Sequence, residues 1–509
     1  MREKLPDQQP SMDGGLNSIS AESALQVNQL RRADNCRLTE FGAVTKRGGL
    51  QRTSTSPLSS GSPVLNGYTW REDGGANEIL AVCNGALFTA AYGSFPWTWT
   101  QETGSLSSSV VPTFAQFRDG SGDDVVYIGD GGLLNKWDGT TLTTDISGTI
   151  GAKMIVVHNE RLWSCGCTTN PDSIFYSDLN NGDTLGNGSS GGGEIIIRTF
   201  ADEVVVGLAS INTSLLIFHK RGISRLTGYG QDDITVAPAG VTSDVGTIAP
   251  GSITAVGNVA YFVSERGLYI CNENEVSPVS TPDKPDPLLP IIRSITAADF
   301  DDIRAVLNRA TRELWITIPQ YGVYVYNTIL GSWTGPWDTG WISPETTALW
   351  ETLDANGLPV VLRGDSSGWV SLADAPSVFL DNVEANGTGG ERYTMTAQFH
   401  RLYCGDSALA KALRWGYAQV SLRGSDQARI EWTTGSSFGS FSLPPSYDQT
   451  WGGIGTEWGT GTWGGVGVQS YRVPMGGNGY YVDVSFIDSG AALPVVSSFQ
   501  LDAFALGRR

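Results

Sequence analysis

The sequence predicts an all-β protein: a β-propeller of about six to eight blades with an N-terminal arm and a C-terminal β-sandwich-like domain. The chain has 509 residues, of which 64 are Gly and 16 are Trp, and only 17% are charged. Short apolar runs alternate with turns rich in Gly, Asn or Asp, which is typical of stacked hairpins. No segment shows the sustained 3.6-residue periodicity of long helices.

The N-terminal arm is assigned to residues 1–55. Residues 1–20 are polar and rich in Pro, Gly and Ser, so we expect them to be extended. Ala21–Arg32 is the best short helix candidate, because Ser20 can cap it and Leu25 and Leu30 supply its larger apolar side chains. Asp34–Gly49 predicts a strand, a turn, a second strand and a basic, Gly-containing end.

The arm is also the most basic part of the chain, through Arg31, Arg32, Lys46 and Arg47. We expect these four residues to contact a neighbouring protein. The alternative is a solvated turn and helix face, which is the commoner role of surface charge.

The propeller is assigned to residues 56–380. Candidate strands recur throughout this range, for example Glu78–Cys83, Met154–His158 and Glu313–Ile318. Several modules end in an aromatic residue followed by Asp or Asn and a turn, as at Trp137–Gly139. A spacing of about 40–50 residues per four-stranded blade is that of other propellers.

The C-terminal domain is assigned to residues 381–509. Its candidate strands are longer and alternate between apolar and polar residues, as a sandwich requires. Within it lies a Trp/Gly-rich loop containing Trp451, Trp458 and Trp463. These rings either pack on their own domain or, as exposed Trp at interfaces does, contact a partner.

Charge and cysteine usage restrict the classes of function. The net charge of −19 and estimated pI of 4.6 argue against a protein that grips nucleic acid, although an acidic wall lets DNA slide past. The six scattered cysteines predict free thiols in a reducing compartment rather than a disulfide framework. We expect no signal peptide and no membrane-spanning segment.

No residue pattern predicts catalysis, a metal or a cofactor, so we expect a protein that is not an enzyme. His158, His219 and His400 lie in separate strand regions without metal-ligand spacing. Cys165 and Cys167 have no second pair of cysteines near them in the sequence. This favours the interpretation that they are cysteines of a turn rather than ligands of a metal or a redox site. Oxygen ligands in Asp119–Asp124 could hold Ca²⁺, but a polar hairpin turn is the preferred interpretation.

Residues 14–49 and 200–275 resemble the tail hub, or nozzle, proteins of short-tailed bacteriophages. GTIAPGSITAVGNVAYFVSERGLY, Gly246–Tyr269, is similar to the "G-x-x-AP-S" and "FLS-x-G-(apolar)-Y" segment of their propeller. Gly14–Gly49 resembles their N-terminal pattern, which runs "GGLN", Leu-x-x-Asn-Gln, an Asn before a strand, "G-A-(apolar)" and Lys-Arg-x-Gly. A looser similarity extends over residues 440–509.

The resemblance implies a structural virion protein assembled in the bacterial host cytoplasm. Family members form a ring, usually of six copies, below the portal and adaptor proteins, where they extend the DNA ejection channel. They dock tail fibres or spikes, and genomic DNA passes through them without specific binding. An alternative is a carbohydrate-binding or hydrolysing tail-tip propeller, and another is a monomeric intracellular scaffold.

Overall fold

We describe the protein from a computed structural model, which covers residues 4–507 except 40, 72–76, 198–203, 229–232, 239–243, 355, 376–377, 406, 424, 426 and 445–467. The described elements are nearly all strands, and α1 (Leu288–Ile292) is a single short α-helix among them. Single 3-10 turns occupy Glu22–Ala24, Gly182–Thr184, Gly188–Ser190, Pro250–Ser252 and Asp299–Asp302. Within these ranges, no helix has the length and apolar character needed to cross a bilayer.

The arm forms strands rather than a helix. They are β1 (Lys4–Gln9), β2 (Gly15–Leu16), β3 (Gln29–Asp34), β4 (Cys36–Leu38), β5 (Val44–Lys46) and β6 (Gly49–Arg52). The helix predicted over Ala21–Arg32 is therefore wrong. Strand β3 is paired on both of its edges, and this pairing outweighs the local helix propensity of the sequence.

Seven four-stranded units follow in chain order, and we number them blades 1 to 7. Blades 1 to 3 contain β7 (Val64–Arg71), β8 (Asn77–Cys83), β9 (Ala86–Ala91), β10 (Thr100–Gln101); β11 (Thr113–Arg118), β12 (Asp124–Gly129), β13 (Asn135–Trp137), β14 (Leu142–Thr143); and β15 (Met154–His158), β16 (Arg161–Cys165), β17 (Ser173–Tyr176), β18 (Gly193–Ile196).

Blades 4 to 6 contain β19 (Val205–Ile211), β20 (Ser214–His219), β21 (Ile223–Thr227), β22 (Thr235–Pro238); β23 (Thr254–Val256), β24 (Val259–Ser264), β25 (Gly267–Cys271), β26 (Val276–Pro278); and β27 (Arg304–Asn308), β28 (Glu313–Ile318), β29 (Gly322–Asn327), β30 (Ser332–Trp337). Blade 7 contains β31 (Thr346–Leu353), β32 (Pro359–Asp365) and β33 (Val370–Ala375), and its fourth strand is β6 from the arm.

The seven units close into a propeller. The first strand of each blade contacts the first strand of the next, and β31 of blade 7 contacts β7 of blade 1. Side chains join some of these inner strands, since Asn66 donates to the Pro112 carbonyl and Thr347 donates to the Val64 carbonyl. Seven hydrophobic clusters accompany the ring, one between each pair of neighbouring blades.

This packing explains why the middle strands read as continuous apolar runs. In β12, Val125 and Tyr127 pack toward blade 3, whereas Val126 and Ile128 pack toward blade 1. Successive side chains point to opposite faces of a strand, and here both faces are buried. The predicted propeller, with its count of about six to eight blades, is therefore confirmed.

The C-terminal strands and the arm together build two further sheets. The remaining strands are β34 (Met395–Phe399), β35 (Ala410–Ser421), β36 (Ala428–Thr433), β37 (Phe438–Ser442), β38 (Gln469–Pro474), β39 (Asn478–Gly479), β40 (Asp483–Asp488) and β41 (Val495–Gly507). One sheet runs β38-β35-β41-β5-β4, with β1 on β41 and β39 on β35. The other continues blade 6 in the order β30-β3-β34-β40-β36-β37.

We call these two sheets the two-sheet unit. They share one hydrophobic core, to which Phe399 and Phe499 contribute a tilted ring pair with centroids 5.5 Å apart. The same core runs on into the interface between blades 5 and 6. The arm was predicted as a separate segment over residues 1–55. In the structure it supplies strands to both the propeller and the two-sheet unit.

Candidate functional site

The arm passes between blade 7 and the two-sheet unit, and we call this region the arm junction. It is built on Asn35, Arg37, Lys46 and Arg47, together with the carboxylates that they bind. Strands β4 and β5 hold these residues in place, because β5 pairs with β4 on one edge and with β41 on the other.

Arg47 is the centre of the arm junction. Its guanidinium binds both carboxylate oxygens of Asp381, at 2.7 and 2.6 Å, and neither side chain is exposed. Its Nε donates to the side-chain oxygen of Asn35 at 2.9 Å, and its plane lies 3.8 Å from the ring centre of Tyr393. Burial opposes its charge, but Asp381 outweighs this and raises the pKa of Arg47.

Lys46 makes the corresponding contact with the two-sheet unit. Its Nζ lies 3.3 Å from the Asp488 carboxylate and 2.6 Å from the Gly490 carbonyl, again with no exposed side-chain surface. It also lies 4.4 Å from the ring centre of Tyr393. Burial lowers the pKa of Lys46, and Asp488 opposes that effect. Neighbouring residues thus hold two different parts of the molecule.

Asn35 and Arg37 extend the network into blades 6 and 7. Asn35 has a left-handed backbone, with φ of 52°, and its amide donates to Asp338 at 2.6 Å. Arg37 binds Glu313 of β28 through two nitrogens, at 3.2 and 2.8 Å, and also pairs with Asp374 of β33. Burial opposes its charge, but the two carboxylates raise the pKa of Arg37.

Gly49 allows the closing strand to approach its neighbours. A Cβ at this position would lie 1.9 Å from the Leu380 carbonyl oxygen, so any side chain forces the backbone apart. The residue begins β6, whose Leu50–Arg52 segment pairs with β33 and completes blade 7. Only glycine fits this close approach.

The stretch Gly246–Tyr269, quoted above for its sequence pattern, forms most of blade 5 and the segment before it. The Ser252 hydroxyl donates to the Ala249 carbonyl at 2.6 Å and accepts from the Val263 amide at 2.9 Å. The Thr247 hydroxyl donates to the Val263 carbonyl at 2.9 Å. The Thr247 and Ser252 hydroxyls, both in the pattern G-T-x-A-P-x-S, thus tie the segment before the blade to its central strand.

Asp286 anchors the other end of the same blade. Its carboxylate accepts from the Leu268 amide at 2.6 Å and from the Leu288 amide at 2.9 Å. Burial raises the pKa of Asp286 to about 6, although the two amides act against this. Gly267 has φ of +108°, and a Cβ there would lie 2.4 Å from the Asp286 carboxylate.

The residues predicted to contact a partner divide into three groups. Lys46 and Arg47 are fully buried within the chain, so their assignment to an external surface is wrong. Arg31 is partly exposed and binds Glu22 at 3.1 Å and the Ser20 carbonyl at 2.9 Å, while Arg32 is 59% exposed and pairs with Asp34. Trp451, Trp458 and Trp463 lie outside the described residues.

Asn35 and Arg37 were missed by sequence reasoning. Arg37 is a single charge in a three-residue strand, a pattern typical of a solvent-facing side chain. Its partners, Glu313 and Asp374, are distant in sequence, and nothing in the local sequence marks them.

The residues considered as metal or redox ligands lie in turns or are buried in the described chain. The Asp119 carboxylate accepts from the Ser121 and Asp123 amides and binds Lys136 at 3.0 Å, so a hairpin turn is confirmed. The six cysteines are free and buried. Throughout the described ranges, no three His, Cys, Asp or Glu side chains are grouped as a metal site would need.

Comparison with known proteins gives no family assignment. No family model matches the chain, and no curated protein matches it. Among solved structures, the chain is similar to the extracellular domain of a hybrid two-component system of B. thetaiotaomicron, with a TM-score of 0.40 and 14% identity. The match covers 76% of this chain and 46% of that one, so this chain spans less than half of the matched protein's length.

Proposed function

We propose that the chain is a structural subunit of the tail hub, or nozzle, ring of a short-tailed bacteriophage. In this role several copies, six in the usual family ring, extend the DNA ejection channel below the portal and adaptor and dock fibres or spikes. One observation carries the proposal: the two sequence stretches quoted for the resemblance lie where separate parts of the chain are held together. Gly14–Gly49 includes the arm junction, and Gly246–Tyr269 forms most of blade 5 and the segment that is tied to its central strand.

The internal contacts suit a load-bearing wall. Hydrophobic clusters link each blade to both neighbours, and the arm junction ties blades 6 and 7 to the two-sheet unit. Bidentate pairs such as Arg47–Asp381 fix orientation as well as distance. A subunit of this kind transmits force with little internal motion, as a channel through which DNA is driven under pressure requires.

The charge balance supports passage of DNA rather than its binding. The chain carries 52 acidic and 33 basic residues, and several of the basic ones are neutralised in buried pairs. A wall with excess negative charge repels phosphate, so DNA moves along it without sticking. A lumen that proved basic in the assembled ring would contradict this part of the proposal.

Electron cryo-microscopy of the source particle tests the proposal directly. We expect this chain as a closed ring on the tail axis, directly below the adaptor and in contact with fibres or spikes. A peripheral or monomeric position would overturn the nozzle assignment.

A cavity with several polar side chains in its lining favours one second candidate, a carbohydrate-binding tail-tip propeller. The cavity has a volume of about 540 Å³ and is lined by Ser107, Asp130, Asp145, Lys153 and Thr168 at blades 2 and 3. However, both carboxylate oxygens of Asp130 already accept backbone amides, from Ser107 and Gly132. Glycan-array binding that is lost in Asp145→Asn would support this alternative, and an array without signal would remove it.

A further inference from the structure

The outer edges of the sheets differ in how well they are protected against pairing with another chain. Most free edges in the described ranges are only two residues long, as at β10 and β14, or contain proline, as at β22, β26 and β38. Strand β6 is covered by the segment that follows β33, because the Arg52 backbone amide donates to the Val383 carbonyl. Proteins use short length, Pro and charge in this way to prevent edge-to-edge association.

Strand β37 lacks these protections within the part of the chain that the structure describes. Phe438–Ser442 has the sequence FGSFS, without charge or proline, and among the described strands it pairs only with β36. Phe438 is 70% exposed, and alternate residues of the strand face solvent. Gly439 lies flat against the Trp432 indole, where a Cβ would meet the ring at 2.2 Å, so the strand is firmly positioned.

A second weakly protected edge is β18 of blade 3. Gly193–Ile196 has the sequence GEII, lacks proline, and among the described strands pairs only with β17. Ile196 is 47% exposed, and Glu194 accepts a hydrogen bond from Asn170 at 2.6 Å. Blade 3 is three blades away from blade 6, whose sheet continues to β37, so the two edges belong to different sheets of the molecule.

The two edges are complementary in one antiparallel register. With Phe438 opposite Ile196 and Ser440 opposite Glu194, an apolar pair and a hydroxyl–carboxylate hydrogen bond form on the exposed face. On the other face, Gly439 lies opposite Ile195 and Phe441 opposite Gly193, so each large side chain meets a glycine. The alternation of exposed and half-buried residues is in phase along both strands.

We propose that β37 of one copy pairs with β18 of a second copy, and that this contact links copies of the chain head to tail. Two different surfaces that bind each other generate a ring when the rotation closes. Backbone hydrogen bonds supply affinity and the side-chain pairs fix the register. The inference goes beyond the proposed function, because it stands whether or not the ring belongs to a phage tail.

A charge swap in the full-length chain tests the pairing by light scattering after size exclusion. Ser440→Glu places two carboxylates opposite each other, so we expect association to weaken about tenfold or more. Combining S440E with Glu194→Lys restores an attractive pair and should restore the assembly. The matched control is Ser470→Glu, the same change at an exposed position of edge strand β38.

Cysteine trapping provides the second measurement. In a paired register, opposite Cα atoms lie close enough for a disulfide, so Ser440→Cys combined with Glu194→Cys should give intermolecular crosslinks under mild oxidation. Ser470→Cys with Glu194→Cys should not. The proposal is overturned by assembly that S440E leaves intact, or by absence of both assembly and crosslinks at the highest soluble concentration. A ring formed through this contact but found off the tail axis would leave it standing and remove only the nozzle assignment.

Discussion

Arg47 and Asp381 form a bidentate ion pair without any side-chain exposure, although 334 residues separate them in the chain. Arg47 precedes the strand that closes the propeller, and Asp381 follows the last propeller strand. The pair therefore locks the closing strand at the point where the chain leaves blade 7.

Arg47→Ala should destabilise the protein by about 3–5 kcal/mol, because it leaves the buried Asp381 carboxylate without its counter-charge. Arg266→Ala is the matched control. Arg266 and its partner Asp244 are 57% and 68% exposed, so the loss of Arg266 should change the free energy of unfolding by about 0.5 kcal/mol or less. Denaturant melts of the two variants measure both, and equal midpoints would contradict a central role for the buried pair.

Gly49→Ala should open the closure of blade 7, since the new methyl group would lie 1.9 Å from the Leu380 carbonyl oxygen. We expect a lower melting temperature and earlier proteolysis near β6. Gly93→Ala is the control, because a Cβ there has open space around it and the backbone φ is not positive. A Gly49 variant as stable as the Gly93 variant would show that the approach relaxes easily.

Stability should depend on pH through Asp286. Burial raises the pKa of this carboxyl from 3.8 to about 6, so the folded protein holds the proton more tightly than the unfolded chain. Its contribution is fully present below about pH 4 and is lost as pH rises through 6, a change of about 3 kcal/mol.

Asp286→Asn removes this titration, so the difference in unfolding free energy between wild type and variant should change between pH 4 and 7. Asp123→Asn, in an exposed turn, controls for the substitution itself. Parallel pH profiles for wild type and Asp286→Asn would contradict the assignment.

Cys167 should be the first thiol to react in the native protein. Burial opposes ionisation, but hydrogen bonds from Thr169 and Asn170 outweigh it and lower the pKa of Cys167. Burial raises the pKa of Cys165 and of Cys271 to about 12, which keeps these thiols protonated. Thiol titration of wild type and Cys167→Ser distinguishes them: the variant should lose the fast phase, and a fast phase that persists would assign it elsewhere.

Much of the fold could be predicted because propeller strands are short and local. Turn residues mark each hairpin, and predicted strands such as Glu78–Cys83 and Glu313–Ile318 lie within one residue of the observed ones. The helix predicted over Ala21–Arg32 failed because the pairing partners of β3, in β30 and β34, are more than 300 residues away.

The arm junction was harder to foresee for the same reason. The sequence shows the basic residues near its centre, Lys46 and Arg47, but their acidic partners lie in the C-terminal third of the chain. Local sequence shows a charge and does not show whether a distant carboxylate will bury it. The Lys-Arg pair at the end of the arm thus makes internal contacts, although its charge predicted a contact with a neighbouring protein.

Because a strand of the arm closes blade 7, this strand must wait during synthesis for partners that are made much later. Strands β1, β3, β5 and β6 each pair with a strand more than 300 residues further along the chain, in β33, β34 or β41. At about 5–20 residues per second, their open edges wait roughly 15–100 s for these partners. During that interval a nascent chain needs shielding from its neighbours, and a chain that stops before β33 can complete neither the propeller nor the two-sheet unit.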